Sequence, residues 1–175
     1  MIRIITGSAK NKKLKTPKIE YFHSVQEVAK GAVFSIINKK VIGSQCLDLF
    51  AGSGNLGLEA LSRGAAWCDF VDKHKEAKKV ITENIAGCDF SEKAEFHFKD
   101  AVKFAVNSEK NYDLIFVDPF YKDTAHIFLM ENLEEILKPQ GMIFFFHGEN
   151  LKIEKIITKT KLKIVDERKY GRSIF

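Results

Sequence analysis

Residues 45–58 read QCLDLFAGSGNLGL. The run is apolar and continuous up to Phe50 except for one acid, Asp48, and then breaks into glycines at 52, 54 and 57. A strand that ends in G-x-G-x-x-G and resumes as a helix is the arrangement that lets backbone N–H groups approach a nucleotide-like ligand. Asp72 closes the next apolar run, twenty residues after Gly52, where a ribose-binding acid stands in such folds.

Two ligands compete for this loop. A nicotinamide dinucleotide fits the glycines and Asp72. Asp48, however, lies inside the strand, where a carboxylate repels a pyrophosphate and suits a cation. The chain of 175 residues also leaves no substrate domain beside a dinucleotide. S-adenosylmethionine carries an amino-acid part, a sulfonium and an adenosine, and it suits the glycines, Asp48 and Asp72 together.

Outward from the loop, strands and helices alternate. The apolar runs at 45–50, 67–72, 94–98, 112–117 and 142–147 read as strands. Helical spacing predicts helices over 55–64, closed by Gly64, over 74–87, closed by Gly87, over 101–108, and over 124–138, which stops before Pro139. Strands separated by helices of this length imply a doubly wound, mostly parallel α/β sheet of the Rossmann-like kind, with helices on both faces. Ahead of it, 3–6 and 12–16 read as a short basic hairpin, and 24–38 as an amphipathic helix with Ser24 at its N-cap. The tail after 150 reads as a short helix and a strand pair. The expected organisation is a single domain, with residues 1–40 as a basic extension packed on a core of 41–175.

Charge is segregated along the chain. Residues 1–40 hold nine Lys and Arg against two Asp and Glu, and 152–175 hold eight against three. The middle holds eleven against eighteen. A solvated surface explains many lysine-rich stretches; two basic ends also make a polyanion-binding face, and Arg3, Lys10, Lys12, Lys13 and Lys15 are its nucleic-acid candidates. Cys46, Cys68 and Cys88 lack CxxC spacing and read as reduced thiols. No apolar run is long enough for a membrane span and no secretory leader is visible, so the expectation is a cytoplasmic monomer. His23, His74, His97, His126 and His147 show no metal-ligand spacing, and no metal is expected. His147 ends a strand near the expected site, and Asn84 reads as a solvated polar residue.

The strand at 112–117 ends in VDPFY, Val117 to Tyr121. An acid there can cap a helix. If the strands of 45–50 and 112–117 are neighbours where the strand order reverses, Asp118 faces the ligand of the glycine loop. The Asp118 carboxylate and the Pro119 carbonyl can then accept the two N–H groups of an exocyclic amine, which localises its lone pair for methyl transfer. Phe120 or Tyr121 can stack on the base.

These motifs resemble the class I methyltransferases that act on exocyclic amines through a (D/N)PP(Y/F) motif. More closely, RIITGSAKNKKLKTP, CLDLFAGSGNLGLEALSRGA, FVDPFY and RKYGRSIF resemble the RsmD-type 16S ribosomal RNA guanine-N2 methyltransferases, over nearly the whole chain. The resemblance implies S-adenosylmethionine contacts from Asp48, Phe50, Ala51, Gly52, Ser53, Gly54 and Gly57. It implies ribose contact at Asp72 beside Lys73, adenine contacts near Asp100 and Ala101, and catalysis at Asp118, Pro119, Phe120 and Tyr121. The implied partner is ribosomal RNA or the small ribosomal subunit. The chain departs from the family at Phe120, where a second proline is usual, and at His23–Gly31, HSVQEVAKG, where the family carries an RPTTDRVRE-like segment. An RNA-binding assembly protein without turnover, a DNA adenine-N6 methyltransferase and an NAD-dependent enzyme remain the alternatives.

Overall fold

The computed structural model describes residues 2–19, 25–119, 126–171 and 173–175. Five parallel strands form the central sheet: β3 (Gln45–Leu49), β4 (Trp67–Asp72), β5 (Ala94–Phe98), β6 (Tyr112–Val117) and β7 (Leu137–Phe145). They lie in the order β5-β4-β3-β6-β7. The chain therefore steps outward from β3 to β5, then returns across the sheet to place β6 on the other side of β3. The strand order reverses between β3 and β6, which pair in register from Cys46↔Leu114 to Leu49↔Val117.

The helices that connect the parallel strands lie on both faces. α2 (Asn55–Ser62) and α3 (Lys75–Gly87) join β3, β4 and β5 and cover one face with α1 (Glu27–Ile37). α4 (Ala101–Val106), α5 (His126–Ile136) and α6 (Ile153–Ile156) cover the other. Burial on both faces is why β3, β4 and β6 are nearly unbroken apolar runs.

The hairpin of β1 (Ile2–Arg3) and β2 (Lys13–Leu14) lies along α2 and α3. Its anchor is a charge pair that the sequence hides. Lys30 of α1 and Glu59 of α2 are both fully buried and 3.1 Å apart. Glu59 also accepts the Ile5 and Thr6 N–H groups at 2.8 and 3.1 Å and pairs with Arg63 Nε at 2.8 Å. Lys30 Nζ donates to Arg3 O and Asn55 Oδ1, both at 2.7 Å, and Asn55 Nδ2 donates to Val25 O at 3.0 Å. Burial lowers the Lys30 pKa, against the opposing pull of Glu59. Asn84, expected to be solvated, is buried: it exchanges two hydrogen bonds with Lys15, both 2.9 Å, and donates to Ser53 O at 2.9 Å.

Several boundaries differ from the sequence reading. α1 begins at Glu27 with Gln26 at the cap position assigned to Ser24, which lies outside the described residues. α3 runs through Gly87 and ends at Cys88, with Asp89 taking the left-handed conformation at φ 63°. The last strand of the sheet starts at Leu137, not 142, and includes Pro139. Proline is tolerated because β7 is an edge strand. The register jumps from Tyr112↔Leu137 to Leu114↔Met142, and Gln140 sits at φ 64°. The apolar run to His147 also divides: β8 (His147–Gly148) belongs to a second, antiparallel sheet with β9 (Lys169–Tyr170) and β10 (Ser173–Ile174). The latter two are the strand pair expected of the tail.

Candidate active site

The carboxyl ends of β3, β4 and β6 carry the candidate residues. Past β3 the backbone turns sharply: Phe50, Gly52 and Gly54 have φ of 57°, 54° and 76°. A bulky residue such as Phe50 at positive φ is strained, and such outliers concentrate at functional sites. The turn is held by Ala51 N–H to Val71 O at 3.1 Å and Gly54 N–H to Ala51 O at 2.6 Å. Gly54 caps α2 in the left-handed conformation that glycine adopts without cost. Gly57 serves packing, since a Cβ there would lie 2.4 Å from the Phe70 ring and 2.6 Å from Cys68 Sγ. That close approach seats α2 against β4.

Two acids brace the turn. Asp48 Oδ2 accepts the Gly57 N–H, and Asp72 Oδ2 accepts the Gly52 N–H, each at 2.9 Å. Asp72 Oδ1 accepts the His74 N–H at 2.9 Å and meets His74 Nδ1 at 2.8 Å. Asp48 and Asp72 are both buried. Burial holds the Asp48 carboxyl well above the usual carboxylate range, and the fields of Asp118 and Asp72 push it the same way.

Asp118 follows β6 directly, and β6 pairs with β3 where the strand order reverses. The residue is half-buried, yet its carboxyl lies in a dense environment, and burial pushes its pKa up to about 7. Pro119 is half-buried beside it, while Phe120 and Tyr121 lie outside the described residues. At the end of β5, Asp100 caps α4 by accepting the Val102 and Lys103 N–H groups at 3.1 and 3.3 Å. Ala101 is buried behind it and Lys73 is exposed beyond Asp72.

These residues fit the cationic, adenosine-bearing ligand inferred from the sequence. No Lys or Arg side chain pairs with Asp48, Asp72 or Asp118 among the described residues. The buried Ser53 Oγ has no hydrogen-bond partner among them either. An orphaned hydroxyl costs on the order of 1–3 kcal/mol, which a polar ligand atom at the loop would recover.

The basic candidates divide into two groups. Arg3 is bidentate to Glu27 at 3.1 and 3.2 Å, and Lys15 meets Glu83 at 2.7 Å. Lys12 donates to Gly87 O at 2.8 Å. Lys10 and Lys13 are exposed and in no ion pair among the described residues. Ser8 bonds Ser62 O and Lys12 bonds Gly87 O, so the hairpin tip sits at the ends of α2 and α3 remote from the glycine loop. Eight residues of α2 set that distance at about 12 Å.

His147 and His97, like His74, are tied into the fold. His147 is buried, its Nδ1 donates to Gly148 O at 3.0 Å, and its ring stacks on Phe145. His97 Nε2 lies 2.8 Å from the buried Asp69. Asp69, Glu95 and His97 bring potential metal-ligating atoms within 4.8 Å of one another, a grouping that linear spacing does not reveal. The Lys110 ammonium lies 3.0 Å from both Asp69 oxygens, and Tyr112 OH donates to Asp69 at 2.9 Å.

Comparison with known proteins follows the same lines. The family model described as Conserved hypothetical protein 95 matches residues 2–175. The Ribosomal RNA small subunit methyltransferase D of Buchnera aphidicola (from Acyrthosiphon pisum) is 32% identical over 164 residues, covering 89% of this chain and 81% of that protein. Among solved structures, a hypothetical protein of Thermus thermophilus superposes with a TM-score of 0.82 at 22% identity, covering 99% of this chain and 96% of that one. The ribosomal protein L11 methylase of Lactobacillus delbrueckii subsp. bulgaricus superposes with a TM-score of 0.71 at 20% identity, covering 87% and 77%.

Proposed function

The chain belongs to the Conserved hypothetical protein 95 family, and from that premise we propose that it is an S-adenosylmethionine-dependent ribosomal RNA methyltransferase acting on guanine N2 of the small-subunit RNA. The observation that carries this reading is the pairing of β3 with β6 at the reversal of strand order. It sets Asp118 at the edge where the glycine loop, Asp48 and Asp72 converge.

Asp48, Gly52, Ser53, Gly54 and Asp72 would hold the cofactor, with Asp100 and Ala101 at its adenine end. S-adenosylmethionine supplies the electrophilic methyl group. The remaining work belongs to the chain. The Asp118 carboxylate and the Pro119 carbonyl accept the amine N–H groups and hold the lone pair out of conjugation with the ring. An amine that gains a methyl group sheds a proton, and Asp118, whose carboxyl is a stronger base than an ordinary aspartate, takes it. The target guanine has to be unpaired or flipped to reach this edge. Lys10 and Lys13 offer exposed charge to the RNA backbone.

The test is methyl transfer in vitro to small subunits from a strain lacking this protein, followed by nucleoside mass spectrometry. One N2-methylguanosine per particle is expected. Label on adenine N6, or label on naked duplex DNA in preference to the particle, contradicts the guanine assignment.

A further inference from the structure

We infer that Lys152 and Lys155 hold the phosphate backbone of the RNA beside its target base, an inference that rests on the reading of the substrate as RNA. The two basic ends of the chain meet different parts of the molecule. The hairpin end lies at the far ends of α2 and α3, and Arg3, Lys12 and Lys15 are spent there on Glu27, Gly87 O and Glu83. The other end rises from the edge that carries Asp118. Phe146 N–H donates to Val117 O at 2.8 Å, so the chain leaves β7 beside the residue that precedes Asp118. β8 follows at once, and a turn closed by Leu151 N–H to Gly148 O at 3.2 Å leads into α6.

Within α6, Ile153 and Ile156 pack on the core beneath α4 and α5. Lys152 and Lys155 are exposed, and neither is in an ion pair among the described residues. Lys152 stands four residues past Gly148, hence within about 14 Å of that turn. Glu149, nearby, is already neutralised by Lys169 at 2.6 Å. Lys161 and Lys163 are exposed too, but Lys161 N–H donates to Glu134, in the later turns of α5 that lead away from this edge to the start of β7.

The backbone that carries the two lysines is anchored. β10 pairs with β8 and β9, and Arg168 and Phe175 exchange backbone hydrogen bonds at 2.9 and 3.1 Å. The Phe175 ring packs on Phe146 and Tyr170, with centroids 5.3 and 5.8 Å away. A cation on an ordered backbone binds without the cost of ordering it. A base that reaches Asp118 brings its own phosphates to this edge, and Lys152 and Lys155 meet them without giving up an internal ion pair.

The experiment measures binding to unmethylated small subunits, and to ribosomal RNA freed from them, over a series of salt concentrations. It compares wild type with the double variants Lys152→Ala/Lys155→Ala and Lys152→Arg/Lys155→Arg. Loss of two phosphate contacts should lower the slope of log affinity against log salt by about 1.4. At about 0.1 M salt the alanine pair should bind roughly twentyfold more weakly, and the difference should close as salt rises. The arginine pair should keep the wild-type slope and affinity. Melting temperature and S-adenosylhomocysteine affinity should be unchanged in both. Wild-type slope and affinity in the alanine pair overturn the inference alone and leave these lysines a solvated face. An equal loss of S-adenosylhomocysteine affinity overturns it too, since the lysines then serve the fold or the cofactor. A wild type that binds neither particle nor RNA, or binds them without salt dependence, overturns the RNA reading beneath it.

Discussion

On the hairpin side of α2, Glu59 meets Lys30, Arg63 and two backbone N–H groups, all within 3.1 Å. At the carboxyl ends of β3, β4 and β6, Asp48 lies instead in the fields of two further acids, Asp118 and Asp72. Both regions bury acids, yet Asp48 meets no cationic side chain among the described residues, and Asp72 meets His74. A buried carboxylate without a cation costs stability. It persists where a ligand brings the missing charge, and a sulfonium beside an α-ammonium is such a ligand. The strained Phe50 and the orphaned Ser53 hydroxyl lie at the same edge. The hairpin side is built for folding, and the sheet edge matches the occupant proposed for it.

Removing an acid should therefore have opposite signs in the two regions. Glu59→Ala leaves Lys30 buried without its carboxylate and two N–H groups without an acceptor. It should cost about 3–5 kcal/mol in denaturant unfolding. A double change, Lys30→Met with Glu59→Leu, should recover part of that loss. A loss below about 1 kcal/mol in Glu59→Ala would break the contrast.

The smaller effect lies at the edge and depends on pH. The folded Asp118 pKa of about 7 is above the unfolded value near 3.8. The folded state therefore binds more protons between those values, and wild-type stability falls as pH rises through that window. Asp118→Asn has no such dependence. Relative to wild type it should gain on the order of 2 kcal/mol between pH 5 and pH 8 in the ligand-free protein. A variant whose stability difference from wild type is flat across that range contradicts the burial of this carboxyl.

Much of the sheet was legible in the sequence. Three strands, Trp67–Asp72, Ala94–Phe98 and Tyr112–Val117, fall where apolar runs and turn residues place them. The Asp48, Gly52 and Asp72 constellation was legible as well, because its members sit at fixed offsets from strand ends. What stayed hidden depends on partners distant in the chain. Lys30 on an amphipathic helix looks like a solvated residue, and its burial follows from Glu59, Asn55 and the Arg3 carbonyl. Asn84 is similar, since its partners Lys15 and Ser53 are 69 and 31 residues away. Pro139 marked a break that the edge position of β7 absorbs.

In the proposed reaction Asp118 acts on the amine in the transition state and has little part in holding the cofactor. The most direct test of this role is Asp118→Ala, with tritiated methyl incorporation into unmethylated small subunits measured alongside S-adenosylhomocysteine affinity. Incorporation should fall by roughly two orders of magnitude or more, while the affinity stays within a few-fold of wild type. Incorporation in Asp118→Ala equal to an active wild type, or background incorporation in the wild type itself, contradicts the account.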